Sequence, residues 1–228
     1  MLRQLRLSKF STHHLKVTSL ILILFSACSP QETLSPEERV QAQAAFESCL
    51  ICHSAQEMQR GPIVDGLPAW YAKHQLEKFQ SGIRGQVPKN RSEHLMGSAR
   101  DRFVDPETIN LLSRYIESLP QKNHRKVVRG DSEKGKLAYV SCITCHGTNG
   151  EGNTLLKSPP LNIQEDWYLL DQLRKFAKGA RGYHSDDFTG QQMAAALNGL
   201  DDQTLKDLIA HIQTFQRSRS ISERPSKS

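Results

Sequence analysis

The chain repeats itself. Trp70-Tyr71, Gln75-Leu76, Lys78-Phe79, Gly82, Arg84 and Gly85 return 97 residues later as Trp167-Tyr168, Gln172-Leu173, Lys175-Phe176, Gly179, Arg181 and Gly182. Nine identities in one register define two copies of one unit, and that duplication constrains the fold more than any single segment does. Two Cys-x-x-Cys-His motifs, Cys49–His53 and Cys142–His146, stand 93 residues apart, whereas Met96 and Met193 stand 97 apart. The second copy therefore gains four residues soon after its motif.

The spacing predicts an all-α chain of two tandem modules with about three main helices each. The first module covers residues 36–120 and the second 131–216, joined by a polar, basic linker at 121–130. A capping box opens the first helix: Ser35 at N-cap, Pro36 at N1, Glu38 at N3. Asp131 is placed to cap its counterpart. Each of these helices runs into a cysteine motif. Gly82 and Gly179 are placed to end the second helices. The third starts at Asp105-Pro106, with Ile109, Leu112, Ile116 and Leu119 on one face. Its counterpart carries Leu205, Leu208, Ile209, Ile212 and Phe215. The polar residues 217–228 are expected to be a disordered tail.

The first 27 residues read as an address. Arg3, Arg6, Lys9 and Lys16 precede the uncharged run Val17–Ala27, which is too short to span a bilayer, where roughly 20 apolar residues are needed. The run ends Phe25-Ser26-Ala27-Cys28, resembling a lipoprotein processing site at which Cys28 is lipidated, with residues 28–35 as tether. The expected location is thus the periplasmic side of a membrane, held there by the acyl chains. The formal charge is +6, but removing the leader leaves 26 basic against 24 acidic side chains. That near balance, with no basic stripe interleaved with aromatics, argues against nucleic-acid binding.

Cys-x-x-Cys-His is the attachment signature of c-type haem. Two thiols about one helical turn apart each bond one vinyl group, and the adjacent histidine reaches the iron. A shared zinc site would not require a histidine after both pairs. A thioredoxin-like pair needs a preceding strand, and plain disulfides need no histidine. The chain is therefore expected to carry two covalently bound haem c groups, on Cys49 and Cys52 and on Cys142 and Cys145, with His53 and His146 on the irons. Met96 and Met193, at matching repeat positions, are the expected sixth ligands. Core packing is the commoner fate of methionine, but Met58 has no counterpart in the other copy. His94, the rival for the first haem, has Gln191 as its counterpart.

These residues resemble the di-haem class I cytochromes of the cytochrome c-four type over residues 36–216. Copy two carries the resemblance in Gly135-Lys136, Cys142–Gly147, Gly150–Asn153, Pro159-x-Leu161, Asp166-Trp167-Tyr168, Gly179-x-Arg181-Gly182 and Met193. The resemblance implies that a proline carbonyl accepts a hydrogen bond from each haem-binding histidine, at Pro159 and, by alignment, Pro62. Copy one departs at Ser54, at a shortened loop Ser54–Gly61, and at Val64 in place of leucine. Trp70, Tyr71, Trp167 and Tyr168 are candidates either to wall the haem pockets or to hydrogen-bond propionates. Arg84 and Arg181 are candidates for propionate partners or for exposed turn residues.

The resemblance implies one-electron transfer, with a quinol-oxidising complex or another dehydrogenase as donor and a terminal oxidase or reductase as acceptor. Two complete ligand sets leave no iron position for substrate. A di-haem enzyme (a peroxidase or sulfur-compound dehydrogenase) needs an open or replaceable axial site. A redox sensor or bound oxidase subunit is the third possibility.

Overall fold

The computed structural model describes residues 33–54, 59–88 and 90–222, with side chains as far as residue 215. The expected leader, Cys28 and the end of the tail lie outside the described residues. Those described contain helices and one isolated bridge, Asn153 to Ser158, but no strand. No helix among them is long and apolar enough to cross a membrane.

Helix α1 spans Pro36–His53 and opens as its sequence dictates. Ser35 Oγ accepts from the Glu38 N–H (3.1 Å), and the Ser35 N–H donates back to Glu38 Oε2 (2.7 Å). The first cysteine motif forms the last turn of this helix. Helix α2 spans Ala69–Gln80 and stops where Gly82 takes φ 78°, a left-handed conformation that costs glycine little. A short helix α3, Arg91–Ser98, carries Met96, and α4 follows over Pro106–Ser118, capped by Asp105.

In the second copy α5 (Ser132–Tyr139) passes through a 3₁₀ turn at Val140–Cys142 into α6 (Ile143–His146). Helix α7 spans Asp166–Ala177, α8 (Phe188–Ala196) carries Met193, and α9 runs over Asp202–Ser222. Two differences from the sequence reading stand out. Each copy has an extra short helix bearing its methionine, and α9 continues six residues past Gln216.

Each copy has its own apolar core. In the first, Ala42 and Phe46 of α1 meet Phe79 of α2 and Ile109, Leu112, Tyr115 and Ile116 of α4. In the second, Tyr139 of α5 meets Leu170 and Phe176 of α7 and Leu205, Leu208, Ile209, Ile212 and Phe215 of α9. Ile163, from the second half of the sequence, belongs to the first core. Its placement already ties the halves together.

The stretch expected to be a plain linker is pinned along its length. Lys122 pairs with Asp65 (2.8 Å), and His124 Nε2 lies 3.1 Å from the Ile163 carbonyl. The N–H groups of Val127 and Val128 donate to buried Asp166 Oδ2 at 2.6 and 2.8 Å.

The tightest helix crossing is α5 on α9. A Cβ added at Gly135 would lie 1.9 Å from the Asp207 carbonyl oxygen. Gly135→Ala forces the two helices apart, an overpacking cost of about 1–3 kcal/mol. Denaturant unfolding of the haem-loaded protein is expected to show that loss.

Candidate haem-binding sites

Cys49, Cys52 and His53 lie on the last turn of α1, at the rim of a largely apolar cavity of about 290 Å³. Met96, Phe46, Val64, Phe79, Phe103 and Leu112 line the same space. The His53 ring is fixed by its Nδ1, which lies 2.6 Å from the Pro62 carbonyl, leaving Nε2 for the cavity. The ring packs so closely on Gly61 that a Cβ there would come within 2.7 Å of it. Burial pushes the His53 imidazole below its ordinary value, against the opposing pull of the Pro62 carbonyl and the Glu165 charge. His94, the rival ligand, is exposed and turns its Nδ1 toward the Gly85 carbonyl (3.2 Å).

The second site is built alike. Cys142 closes the 3₁₀ turn, Cys145 and His146 form α6, and His146 is 5% exposed. Its Nδ1 lies 3.0 Å from the Pro159 carbonyl. Burial lowers this imidazole too, opposed by the Pro159 bond. Cys142, Leu161 and Met193 pack against one core cluster. Tyr139 is buried beneath the motif and donates to the Gly147 carbonyl (3.0 Å). The bridge between Asn153 and Ser158 ties the longer loop of this copy just ahead of Pro159.

Cys49, Cys52, Cys142 and Cys145 form no disulfide with one another. Each site thus offers the donors a haem c requires: two thiols, an imidazole with one nitrogen already engaged, and a thioether on the wall of the same pocket or core. An apolar cavity containing His53 and Met96 fits that group.

The aromatic pairs do not divide evenly between copies. Tyr71 lines the first cavity, but so do Trp167 and Tyr168 of the second copy. Trp70 faces a separate cleft with Pro160 and Leu155, under Lys157. Neither arginine is an exposed turn residue. Arg84 is 4% exposed and Arg181 7%.

The arginines build the contact between modules, and they do so reciprocally. Arg84 donates to Gln75 of its own copy (2.8 Å) and to Gln172 of the other (2.9 Å). Arg181 donates to Gln172 of its own copy (2.7 Å) and to Gln75 of the other (2.9 Å). The lysines follow the same exchange: Lys78 reaches Asp187 and Thr189, and Lys175 reaches Ser92. Arg84 also pairs with Glu93 at 2.7 Å, both buried. Glu93 has Gly190 as its repeat counterpart.

Burial opposes the charge on Arg84, but Glu93 and the nearby tyrosines outweigh it and raise its pKa. Burial also pushes Glu93 and Asp187 up, and their cationic partners more than offset it, so both end below the ordinary carboxylate range. Lys78 is pulled down by burial in spite of Asp187. The stability these carboxylates contribute is present above the ordinary carboxylate range and is lost as pH falls through their depressed values.

Comparison with known proteins shows the family. Residues 132–216 match the cytochrome c family model. Fold and family place the chain among the class I cytochromes c, with two covalently bound haem c groups. A thiosulfate dehydrogenase electron acceptor from Thiomonas intermedia is 54% identical over 190 residues, 75% of this chain and 80% of that protein. Cytochrome c4 of Azotobacter vinelandii is 27% identical over 181 residues, 74% of this chain and 85% of that protein. The chain belongs to the di-haem cytochromes of the cytochrome c4 type. It also resembles a solved thiosulfate dehydrogenase from Marichromatium purpuratum, with TM-score 0.59 and 26% identity over 78% of this chain. It spans 39% of that longer chain.

The sequence reading missed the interface roles of Gln75, Gln172, Lys78 and Lys175, although all four belong to the nine repeated identities. It also missed Glu93, Glu165 and Asp187, which have no acidic counterpart in the other copy.

Lys78→Met leaves Asp187 buried without its cation, an expected cost of about 3–5 kcal/mol. Denaturant unfolding at neutral pH is the measurement. The deficit is expected to shrink under acid conditions, where Asp187 in the parent protein also becomes protonated.

Proposed function

We propose that this cytochrome carries single electrons on the periplasmic side, taking them from a thiosulfate-oxidising dehydrogenase and passing them to a terminal oxidase or reductase. The observation that carries the carrier reading is the shared cavity of His53 and Met96, with Cys49 and Cys52 at its rim. In this reading Cys49, Cys52, Cys142 and Cys145 hold the two haems by thioether bonds. His53 with Met96 and His146 with Met193 would ligate the irons. Bound there, each haem would supply one-electron exchange between ferric and ferrous iron.

The protein's own groups do the rest. The carbonyls of Pro62 and Pro159 hold the histidine rings in one orientation. Apolar walls exclude water, and the buried interface keeps the modules at a fixed separation, so little reorganises on electron transfer. Met96 and Met193 on the irons would leave no open site for peroxidase or dehydrogenase chemistry.

The donor is inferred from the 54% identical relative, which is itself a thiosulfate dehydrogenase electron acceptor, and from the likeness to part of a thiosulfate dehydrogenase chain. Lipidation of Cys28, with residues 1–27 removed, would hold the carrier at the membrane near its acceptor.

Stopped-flow mixing tests the partner. A catalytic amount of thiosulfate dehydrogenase with excess thiosulfate is expected to reduce both haems rapidly, whereas thiosulfate alone leaves the protein oxidised. Reduction by thiosulfate without the dehydrogenase would mark the chain as an enzyme. No reduction with it would remove that donor.

A further inference from the structure

Glu165 occupies the N-cap position of α7, yet its side chain makes no capping bond to its own helix. It is 7% exposed and crosses to the first module instead. Its two oxygens accept from Gln59 Nε2 at 2.9 and 2.8 Å, and Oε2 also accepts from the Ile63 N–H at 2.8 Å. The Ile63 N–H belongs to the same peptide group as the Pro62 carbonyl, and that carbonyl lies 2.6 Å from His53 Nδ1. One peptide unit therefore joins the two bonds: imidazole N–H to carbonyl oxygen, and amide N–H to carboxylate.

The second site cannot form this chain. His146 also bonds a proline carbonyl, at the longer distance of 3.0 Å. The next residue there is Pro160, whose nitrogen carries no hydrogen. The repeat counterpart of Glu165 is Pro68, which has no carboxylate to offer.

We propose that Glu165 of the second module is a positioning residue for the first haem's iron ligand, acting on His53 through the Pro62–Ile63 peptide. A carboxylate on the amide N–H polarises the peptide and makes its carbonyl a stronger acceptor, because hydrogen bonds in series reinforce one another. The stronger acceptor draws the Nδ1 proton and makes the imidazole a better donor to iron. A more basic ligand favours the ferric state, so the relay lowers the first haem's reduction potential and leaves the second haem's alone. Hydrogen bonding around the axial ligands is one of the means by which a protein sets haem potential. Electrons are thereby biased from the first haem toward the second, and the bias depends on the modules staying docked.

The inference rests on His53 and Met96 as the ligand pair of the first haem. Spectroelectrochemical titration of the haem-loaded protein tests both points separately. Met96→His identifies the first haem's step, because exchanging thioether for imidazole lowers its potential. If that variant moves neither step, the ligand assignment fails.

Glu165→Gln keeps an acceptor for the Ile63 N–H and removes the charge. It is expected to raise the first step by up to about tenfold in its redox equilibrium, about 59 mV for one electron, without moving the second. Ile63→Pro copies the second site and is expected to raise the same step. Adding Glu165→Gln to it should then change nothing further. An unchanged first step in Glu165→Gln overturns the relay, as does an equal shift of both steps. A Glu165 effect that persists undiminished beside Ile63→Pro would mean a through-space charge and also overturns it. If Ile63→Pro fails to fold, the Glu165→Gln titration decides alone.

Discussion

The reciprocal exchange between Arg84–Gln172 and Arg181–Gln75 is the interaction on which the rest of the structure depends. Both arginines are buried, so each must find acceptors within the protein; Arg84 has Gln75 and Glu93 in its own module, and Arg181 has Gln172. Each borrows a glutamine carbonyl from the other copy. Buried charges left without such partners would cost several kcal/mol each. The modules are therefore completed by docking, and the docking brings Trp167 and Tyr168 to the first cavity.

From that constraint an asymmetry follows. The first cavity has walls from both copies, a buried Glu93 with no acidic counterpart, and Glu165 reaching its proximal side. The second site is served by its own core, its longer loop and Pro159. Duplication supplied two equivalent sets of candidate ligands. Divergence then changed their surroundings, at positions such as Ile63 against Pro160 and Glu165 against Pro68. Two haems in such different settings suit a carrier that accepts at one and delivers from the other.

Much of this was legible in the sequence because it is local. The capping box at Ser35, the cap at Asp131, the stop at Gly82 and the stripe Ile109–Ile116 are each set by residues a few positions apart, and each forms as read. The cysteine motifs and the methionine spacing were visible because the repeat doubles every signal. What was not legible depends on contact between residues far apart. Arg84 is spaced like a turn arginine, and only the docked modules show that it is buried. Asp187 and Glu165 look like ordinary helix-start acids. The 121–130 stretch is polar and basic as a free linker would be, but Asp166 and Gln213, distant in sequence, hold it. The short helices bearing Met96 and Met193 have too few apolar positions for periodicity to reveal them.

We propose that both haems carry a complete histidine–methionine ligand set, the arrangement expected of an electron carrier. The weak red-region absorption band of ferric haem with methionine ligation tests it most directly. Recorded on the fully oxidised protein, the band should appear with an intensity corresponding to two haems and should fall by half in either Met96→Ala or Met193→Ala. A band absent from both haems, or one that survives both substitutions, would contradict the account.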